Sequence, residues 1–298
     1  ENGILVKNSE SLEILNKIDT IVFDKTGTIT KGKPVVTDIV SLDGTSEDEI
    51  LKISFGLEDL SQQPLANSII EKAKSKDLSP YKVENFESIT GKGISGNIEG
   101  QKYYIGNNKL LKDVGVFSDK IEVIANKYSN EGKTSVYLFN SNTIIAIIAI
   151  ADSVKETSKE AISQIKKMGI KTVMLTGDNN ITAKAMADRV GIDEFKAELL
   201  PQDKDAIVSE YQSSDNLVAM VGDGINDAPA LIRADVGIGI ADGTDIAIDS
   251  ADLVLMKSDL QDIVNALRLS RETIKNVKQN LFWAFFYNVL AIPIAVGI

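Results

Sequence analysis

The chain has 298 residues, 43% of them apolar and 25% charged, and a net charge of −11. That is enough material for a large core and about two domains, and the acidic balance excludes nucleic acid as a partner, because nothing would neutralise a phosphate backbone over a broad face. Cysteine and histidine are both absent, which excludes disulfides, thiol and imidazole catalysis and a Cys/His zinc site, and leaves carboxylates, hydroxyls, lysines and arginines as the reactive groups.

The chain opens at Glu1-Asn2-Gly3 without an initiator methionine or signal peptide and ends on an apolar run, so it reads as a piece of a longer chain. Residues 4–16 read as a short strand and helix. The run Ile21-Val22-Phe23-Asp24 then reads as a buried parallel strand delivering a carboxylate to the turn Lys25-Thr26-Gly27-Thr28. Asp24 is expected to be presented rather than buried, at the strand end where open α/β sheets bind ligands. Lys25 would offset its charge, while Thr26, Gly27 and Thr28 offer hydroxyls and N–H groups to phosphate oxygens.

Lys31-Gly32-Lys33-Pro34 breaks the pattern and reads as a hinge into an insertion. Within it, residues 46–60 and 64–76 read as helices, the first opened by a Ser N-cap with Glu49 three residues on and the second by a proline in its first turn. Strands follow at 83–89, 93–98 and 102–105, then helices at 107–114 and 118–130, then strands at 135–139 and 143–150. Together with a first strand at 35–41 this is an α+β module. From residue 151 the pattern alternates regularly: helix 154–168, strand 171–175, helices 181–190 and 202–211, strand 217–221, helix 228–234, strand 236–240. Such βαβ alternation predicts a parallel, doubly wound sheet, which the 21–24 strand joins. The final run, 281–298, carries no charge and follows Arg268, Arg271, Lys275 and Lys278 on one helical face. It reads as the start of a membrane helix with its cytoplasmic side before it, Trp283 and Tyr287 fitting an interfacial anchor.

Two further strands end in loops like that of Asp24: Thr176-Gly177-Asp178-Asn179 and Gly222-Asp223-Gly224-Ile225-Asn226-Asp227, with a helix opened between them by Pro201-Gln202-Asp203-Lys204. If the strands are parallel, all lie on one edge beside Asp24. Carboxylates gathered there without histidine attract a hard cation, and Mg²⁺ with a phosphate is the usual arrangement.

These motifs (DKTGT at 24–28, TGDN at 176–179, PxxK at 201–204 and GDGINDAPAL at 222–231) closely resemble those of the phosphorylation domain of P-type ATPases, within the haloacid-dehalogenase-like superfamily. The resemblance covers nearly the whole chain. It implies that Asp24 attacks the γ-phosphate of ATP to form an aspartyl-phosphate. Asp24, Asp223, Asp227 and the Thr26 carbonyl would attend Mg²⁺, Lys204 and Thr176 would bind the phosphoryl group, and Gly177, Asp178 and Asn226 would support the arrangement. Phosphatases of the superfamily carry an aspartate, a general acid and base, two positions after the nucleophile. Here that position is Thr26, so an acyl phosphate is expected to persist.

The insertion resembles the nucleotide-binding domain of the heavy-metal branch, with Glu58, Gly91, Gly93, Gly106 and Asn107 at positions that hold adenosine there. Where that branch has Ser-Glu-His-Pro this chain has Ser61-Gln62-Gln63-Pro64, and Gln63 in place of the histidine would weaken ATP by about 1–2 kcal/mol if one contact is lost. Tyr287-Asn288 looks like part of a copper(I)-pump membrane segment near the transported ion. Asn288 in an apolar span otherwise reads as a helix-to-helix hydrogen bond.

The expected organisation is a phosphorylation domain at 1–33 and 147–275, a nucleotide-binding domain at 34–146, and the start of a transmembrane helix at 276–298. ATP and Mg²⁺ are the expected cofactors. The heavy-metal cation, the actuator domain and most of the membrane domain are expected partners outside this chain. The alternatives are a freestanding phosphatase of the same superfamily, or a nucleotide-binding module with impaired catalysis.

Overall fold

The computed structural model describes residues 3–61, 65–116, 119–213 and 216–296. β1 (Ile4–Val6) and α1 (Ser9–Leu15) lead into β2 (Thr20–Asp24), which is buried over its whole length. Unbroken burial suits an apolar strand covered on both faces at the centre of a parallel sheet. After a turn at Lys25–Ile29 the chain leaves this sheet and builds β3 (Val35–Ser41), α2 (Glu47–Glu58), α3 (Ala66–Lys74), β4 (Glu84–Ile89), β5 (Gly93–Ile98), β6 (Gln101–Gly106), α4 (Asn108–Val114), α5 (Asp119–Asn130), β7 (Thr134–Asn140) and β8 (Ile144–Ala151). It then returns through α6 (Ser158–Lys167), β9 (Lys171–Leu175), α7 (Asn180–Val190), β10 (Glu194–Lys196), α8 (Asp203–Gln212), β11 (Val218–Gly222), α9 (Ala228–Arg233), β12 (Val236–Ile240), α10 (Asp245–Ser250), β13 (Leu253–Leu255) and α11 (Gln261–Val296).

The first sheet has seven strands in the order β1-β13-β12-β11-β2-β9-β10, parallel except for β1. β2 lies between β11 and β9, with Phe23 opposite Val221 on one side and Asp24 opposite Leu175 on the other. Successive residues of β2 feed opposite cores. Ile21 and Phe23 pack with residues of α6, α7 and α11, whereas Val22 packs with Ile207 and Val208 of α8 and Ala230 and Leu231 of α9. This is the expected doubly wound α/β arrangement.

The second sheet has six antiparallel strands in the order β3-β8-β7-β6-β5-β4. Its faces are covered separately, one by Ile50, Ile53 and Leu57 of α2 and Ile69 of α3, the other by Leu110 and Leu111 of α4 and Ala125 and Tyr128 of α5. β8 stays paired with β3 as far as Ala151, so the second sheet runs past residue 146. The two units touch where α5 turns into β7: the Thr182 hydroxyl donates to the Lys133 carbonyl (3.2 Å) and the Arg189 guanidinium to the Glu131 carbonyl (2.7 Å).

Two expectations change here. The helix expected from 154 begins only at Ser158, because Val154 forms an antiparallel bridge with Thr30 and the Lys155 N–H donates to the Ile29 carbonyl at 3.1 Å. The membrane helix expected at 276–298 is not shown. α11 begins at Gln261 and, among the described residues, no helix is long and apolar enough to cross a membrane. The apolar part of α11 described here, residues 281–296, would extend only about 24 Å, short of a core of about 30 Å.

Phe23 is fully buried on β2, the strand that carries the site. Phe23→Ala should cost about 3–5 kcal/mol in urea denaturation, since the surrounding strands and helices can close only part of the cavity. A loss under about 1 kcal/mol would mean that β2 is not the central strand.

Candidate active site

The end of β2, the loops after β9 and β11 and the first turn of α8 meet at one edge of the first sheet. Asp24 is the last residue of β2 and is 6% exposed, so it is buried rather than presented. The Lys204 ammonium lies over it, 2.8 Å from Asp24 Oδ1 and 2.7 Å from Asp227 Oδ1. Pro201 and the N-terminal turn of α8 place Lys204 there. Asp227 also holds its own loop, accepting from the backbone N–H groups of Asp223 (3.3 Å) and Gly224 (3.1 Å) through Oδ2.

Thr26 (φ −77°, ψ 130°) and Gly27 (φ 73°, ψ −21°) form the two centres of a type II turn. Gly27 is required twice over: its φ is left-handed, and a Cβ there would lie 1.6 Å from Asp223 Oδ2. The turn therefore packs directly on the Asp223 carboxylate. Thr26 is exposed, while Thr28 is wholly buried and its hydroxyl has no hydrogen-bond partner, so Thr28 does not offer that hydroxyl to a ligand as expected.

Asp24, Asp223 and Asp227 each bring a carboxylate oxygen within 4.8 Å of the others. Burial, reinforced by Asp227 and opposed by Lys204, pushes the Asp24 carboxyl up to about 7. Burial and Asp227 push Asp223 up to about 6 against the pull of Lys155. Burial acts to lower Lys204, but Asp24 and Asp227 outweigh it and hold the ammonium well above its ordinary range. Three crowded carboxylates served by one ammonium form an all-oxygen set that suits a hard divalent cation, so these residues fit Mg²⁺.

Lys25 turns away from Asp24 and pairs with Asp178 at 2.6 Å. Its expected role as a counter-charge for Asp24 is thus replaced by a link between the β2 and β9 loops. Asp178 also accepts from the Thr134 hydroxyl of the second unit at 3.0 Å, and its N–H donates to the Thr176 hydroxyl at 3.1 Å. Burial acts to raise Asp178, but the Lys25 charge and these hydrogen bonds hold it below the usual carboxylate range. Thr176 is buried, and Gly177 and Asn226 are exposed. The Asp178–Thr134 bond had no signal in the sequence, because Thr134 sits in no motif.

In the second unit, Glu58 closes α2. It is 4% exposed, with Oε2 lacking a hydrogen-bond partner. Burial pushes its carboxyl up to about 7, against a hydrogen bond from Ser61 that lowers it. Asn107 caps α4 and donates from Nδ2 to the Gly91 carbonyl at 2.9 Å, which joins two of the expected nucleotide residues. Gly93 and Gly106 face each other across β5 and β6, where a Cβ on Gly93 would lie 2.2 Å from the Ile105 carbonyl oxygen and one on Gly106 would lie 2.4 Å from that of Lys92. Close backbone packing therefore explains these two glycines. Gly91 is exposed with open space about it. Gln63 lies outside the described residues. Tyr287 and Asn288 are exposed on α11.

Residues 18–235 match the haloacid dehalogenase-like hydrolase family, and the chain belongs to it. Within that family, its whole length matches the catalytic part of heavy-metal P-type ATPases. It is 44% identical over 296 residues to the silver-exporting P-type ATPase of Salmonella typhimurium, covering 99% of this chain and 36% of that protein. It is 43% identical over 298 residues to the copper-exporting P-type ATPase of Legionella pneumophila, covering all of this chain and 40% of that one. The chain thus spans well under half the length of these curated relatives. Among solved structures, a zinc-transporting PIB-type ATPase superposes with a TM-score of 0.73 at 35% identity, over 99% of this chain and 48% of that one. The catalytic CPx-ATPase domain CopB-B, studied for conformational changes on nucleotide binding, superposes with a TM-score of 0.69 at 28% identity, over 89% of this chain and 96% of that one.

The Glu58 carboxyl links stability to pH. Below its ordinary value of 4.5 it is protonated in both states; as pH rises to about 7 only the unfolded chain ionises, so stability falls across that window and the loss is complete above it. Glu58→Gln should remove this slope and exceed the parent by about 3 kcal/mol at pH 8 while matching it at pH 4. Parallel stability profiles in urea would refute the assignment.

Proposed function

We propose that this chain is the ATP-binding and autophosphorylating part of a heavy-metal-transporting P-type ATPase. In this reading the first sheet and its helices, expected at 1–33 and 147–275, act as the phosphorylation domain and the insertion expected at 34–146 as the nucleotide-binding domain, with the return boundary at 151/152 because β8 stays in the second sheet to Ala151. The observation that carries it is the Lys204 ammonium bridging Asp24 and Asp227 beside Asp223, at the carboxyl edge of a parallel sheet.

An Asp24 carboxylate oxygen attacks the γ-phosphorus of ATP, the bond to the bridging oxygen breaks, and ADP leaves with that electron pair. Lys204 stands where it neutralises charge on the transferring oxygens, and in-line positioning supplies much of the rate. Asp24, Asp223 and the Thr26 carbonyl would hold Mg²⁺, with Asp227 behind them. The bound ion would supply electrostatic stabilisation of the phosphoryl charge. Thr176, next to the Asp178 loop, would meet the phosphoryl group. Glu58, Gly91, Gly93, Gly106 and Asn107 would receive the adenosine, the buried acceptor of Glu58 suiting the adenine amino group.

Thr26 supplies no general base two residues after the nucleophile, so the acyl phosphate should outlast a phosphatase intermediate. Hydrolysis would fall to an actuator domain acting on Asp24 from outside the two units described. The silver and copper exporters among its relatives support a soft monovalent cation, copper(I) first, as the cargo of the whole protein. Coupling to translocation belongs to that whole protein, with the two units on the cytoplasmic side of its membrane.

Acid-quenched labelling with γ-³²P-ATP and Mg²⁺ should give a burst that stops near one phosphate per chain, with little phosphate release. Asp24→Asn should lose at least about 100-fold of the label while still binding ATP. Undiminished labelling of that variant would end the proposal, and steady hydrolysis of p-nitrophenyl phosphate would favour a phosphatase.

A further inference from the structure

Lys155 belongs to none of the four loop motifs, yet it grips the phosphorylation turn at two points. Its Nζ donates to the Gly27 carbonyl at 2.6 Å, and its backbone N–H donates to the Ile29 carbonyl at 3.1 Å, where the Ser158 hydroxyl also donates at 2.8 Å. The same Nζ donates to the Ser258 hydroxyl at 3.1 Å, in the segment that opens α11. Ser258 holds a left-handed backbone (φ 53°), which is uncommon for a residue other than glycine. Next to it, Asp259 accepts from the Thr157 hydroxyl at 2.6 Å and from the Gln261 N–H at 2.8 Å. The segment 155–158 is thus bonded both to the turn beside the nucleophile and to the start of a 36-residue helix.

We propose that Lys155 is a positioning residue for phosphoryl transfer: its ammonium pins the Gly27 carbonyl to the root of α11 and so fixes the Thr26–Gly27 turn against the acidic cluster. The inference rests on the phosphorylating role of Asp24. Its physical basis is the geometry of a type II turn, in which neighbouring peptide planes are set by only a few dihedrals. Holding the Gly27 carbonyl restricts the preceding plane, which carries the Thr26 carbonyl offered to Mg²⁺. Gly27 is then clamped on both sides, by the Asp223 carboxylate against its Cα and by Lys155 on its carbonyl. Lysine is also suited to the place by its three donors, which allow one ammonium to serve two acceptors from separate segments. The carboxylates of Asp152, Asp223, Asp242 and Asp259 surround it.

The test titrates Mg²⁺ alone against the melting temperature of the whole chain, and repeats the titration by acid-quenched labelling with ATP. Lys155→Met should need about tenfold more Mg²⁺ for half the shift in melting temperature and half the label, with Lys155→Arg restoring most of the difference, as expected of a residue that orients a metal ligand from outside. Ser258→Ala, which keeps the lysine but removes its anchor on α11, should need about threefold more. ATP binding measured without Mg²⁺ should be unchanged in both. A purely structural role would lower the melting temperature without moving the Mg²⁺ midpoint, and a midpoint within about twofold of the parent in either variant overturns the proposal. If Lys155→Met does not fold, Ser258→Ala decides. A parent chain that neither responds to Mg²⁺ nor labels would sink the phosphorylation reading and this one with it, whereas normal labelling with unmoved midpoints removes only the role of Lys155.

Discussion

The ammonium of Lys204 between Asp24 and Asp227 is the contact on which the site depends. Bringing two carboxylates out of water onto one lysine is costly, and the cost is recovered only where geometry is good and the remaining acceptors find donors. Asp227 meets that condition by accepting from two backbone N–H groups of its own loop. Asp24 and Asp223 do not meet it fully, which is why burial moves both towards neutrality. Only the Lys204 ammonium is bonded within the cluster, and Lys155 acts on Asp223 from outside it, so three carboxylates leave an excess of negative charge in a largely buried space. A divalent cation has the charge and the oxygen preference to balance it, so the electrostatic strain of the fold and its proposed chemistry have one cause.

The sheet makes this crowding possible. Parallel pairing of β2 with β9 and β11 puts three strand ends on one edge, so residues distant in sequence arrive there without long loops. The insertion leaves and re-enters through the same edge, at Thr30 and Asp152, whose side chains are hydrogen-bonded. The second unit is therefore rooted beside the Asp24 turn. It reaches back through Thr134 to Asp178, the carboxylate that Lys25 also holds. A shift between the two units would disturb the β9 loop before it disturbed Asp24 itself.

How much of this was legible follows from the kind of signal each feature carries. The strands of the first sheet are apolar runs that end in glycine and carboxylate, and the antiparallel strands of the second change the period to two, so both sheets and the gathering of Asp24, Lys204, Asp223 and Asp227 could be read from pattern. β10 and β13 span three residues each, too short for any period to register, and the six residues of α10 make less than two helical turns. The burial of Asp24 was missed because a strand end reads as exposed until the residues that close over it are placed. Lys25 was assigned to its sequence neighbour, but it chose a partner 153 residues away. Positions 154–157 carry a helix-like pattern, and pairing of Val154 with Thr30 delayed the helix to Ser158. The membrane helix rested on a run whose described part is too short.

Glu58 and the acidic cluster now stand as counterparts, one in each unit. Glu58 keeps a buried acceptor without a donor, and its burial favours the uncharged form. An orphaned buried acceptor in a folded protein calls for an explanation, and a ligand donor is one of few available. On the proposed function, the adenine amino group would satisfy Glu58 and favour its ionised form, while the phosphate end with Mg²⁺ would satisfy Asp24 and Asp223. Each contact is absent from the unfolded chain, so one bound nucleotide would stabilise both units and, because its two ends reach different sheets, would favour the arrangement in which they face each other. The chain thus leaves unmet, in its own packing, the two electrostatic demands that Mg²⁺ and ATP together could meet. On that reading a bound nucleotide would add to the hydrogen bonds the units already share at Thr134, Lys133 and Glu131.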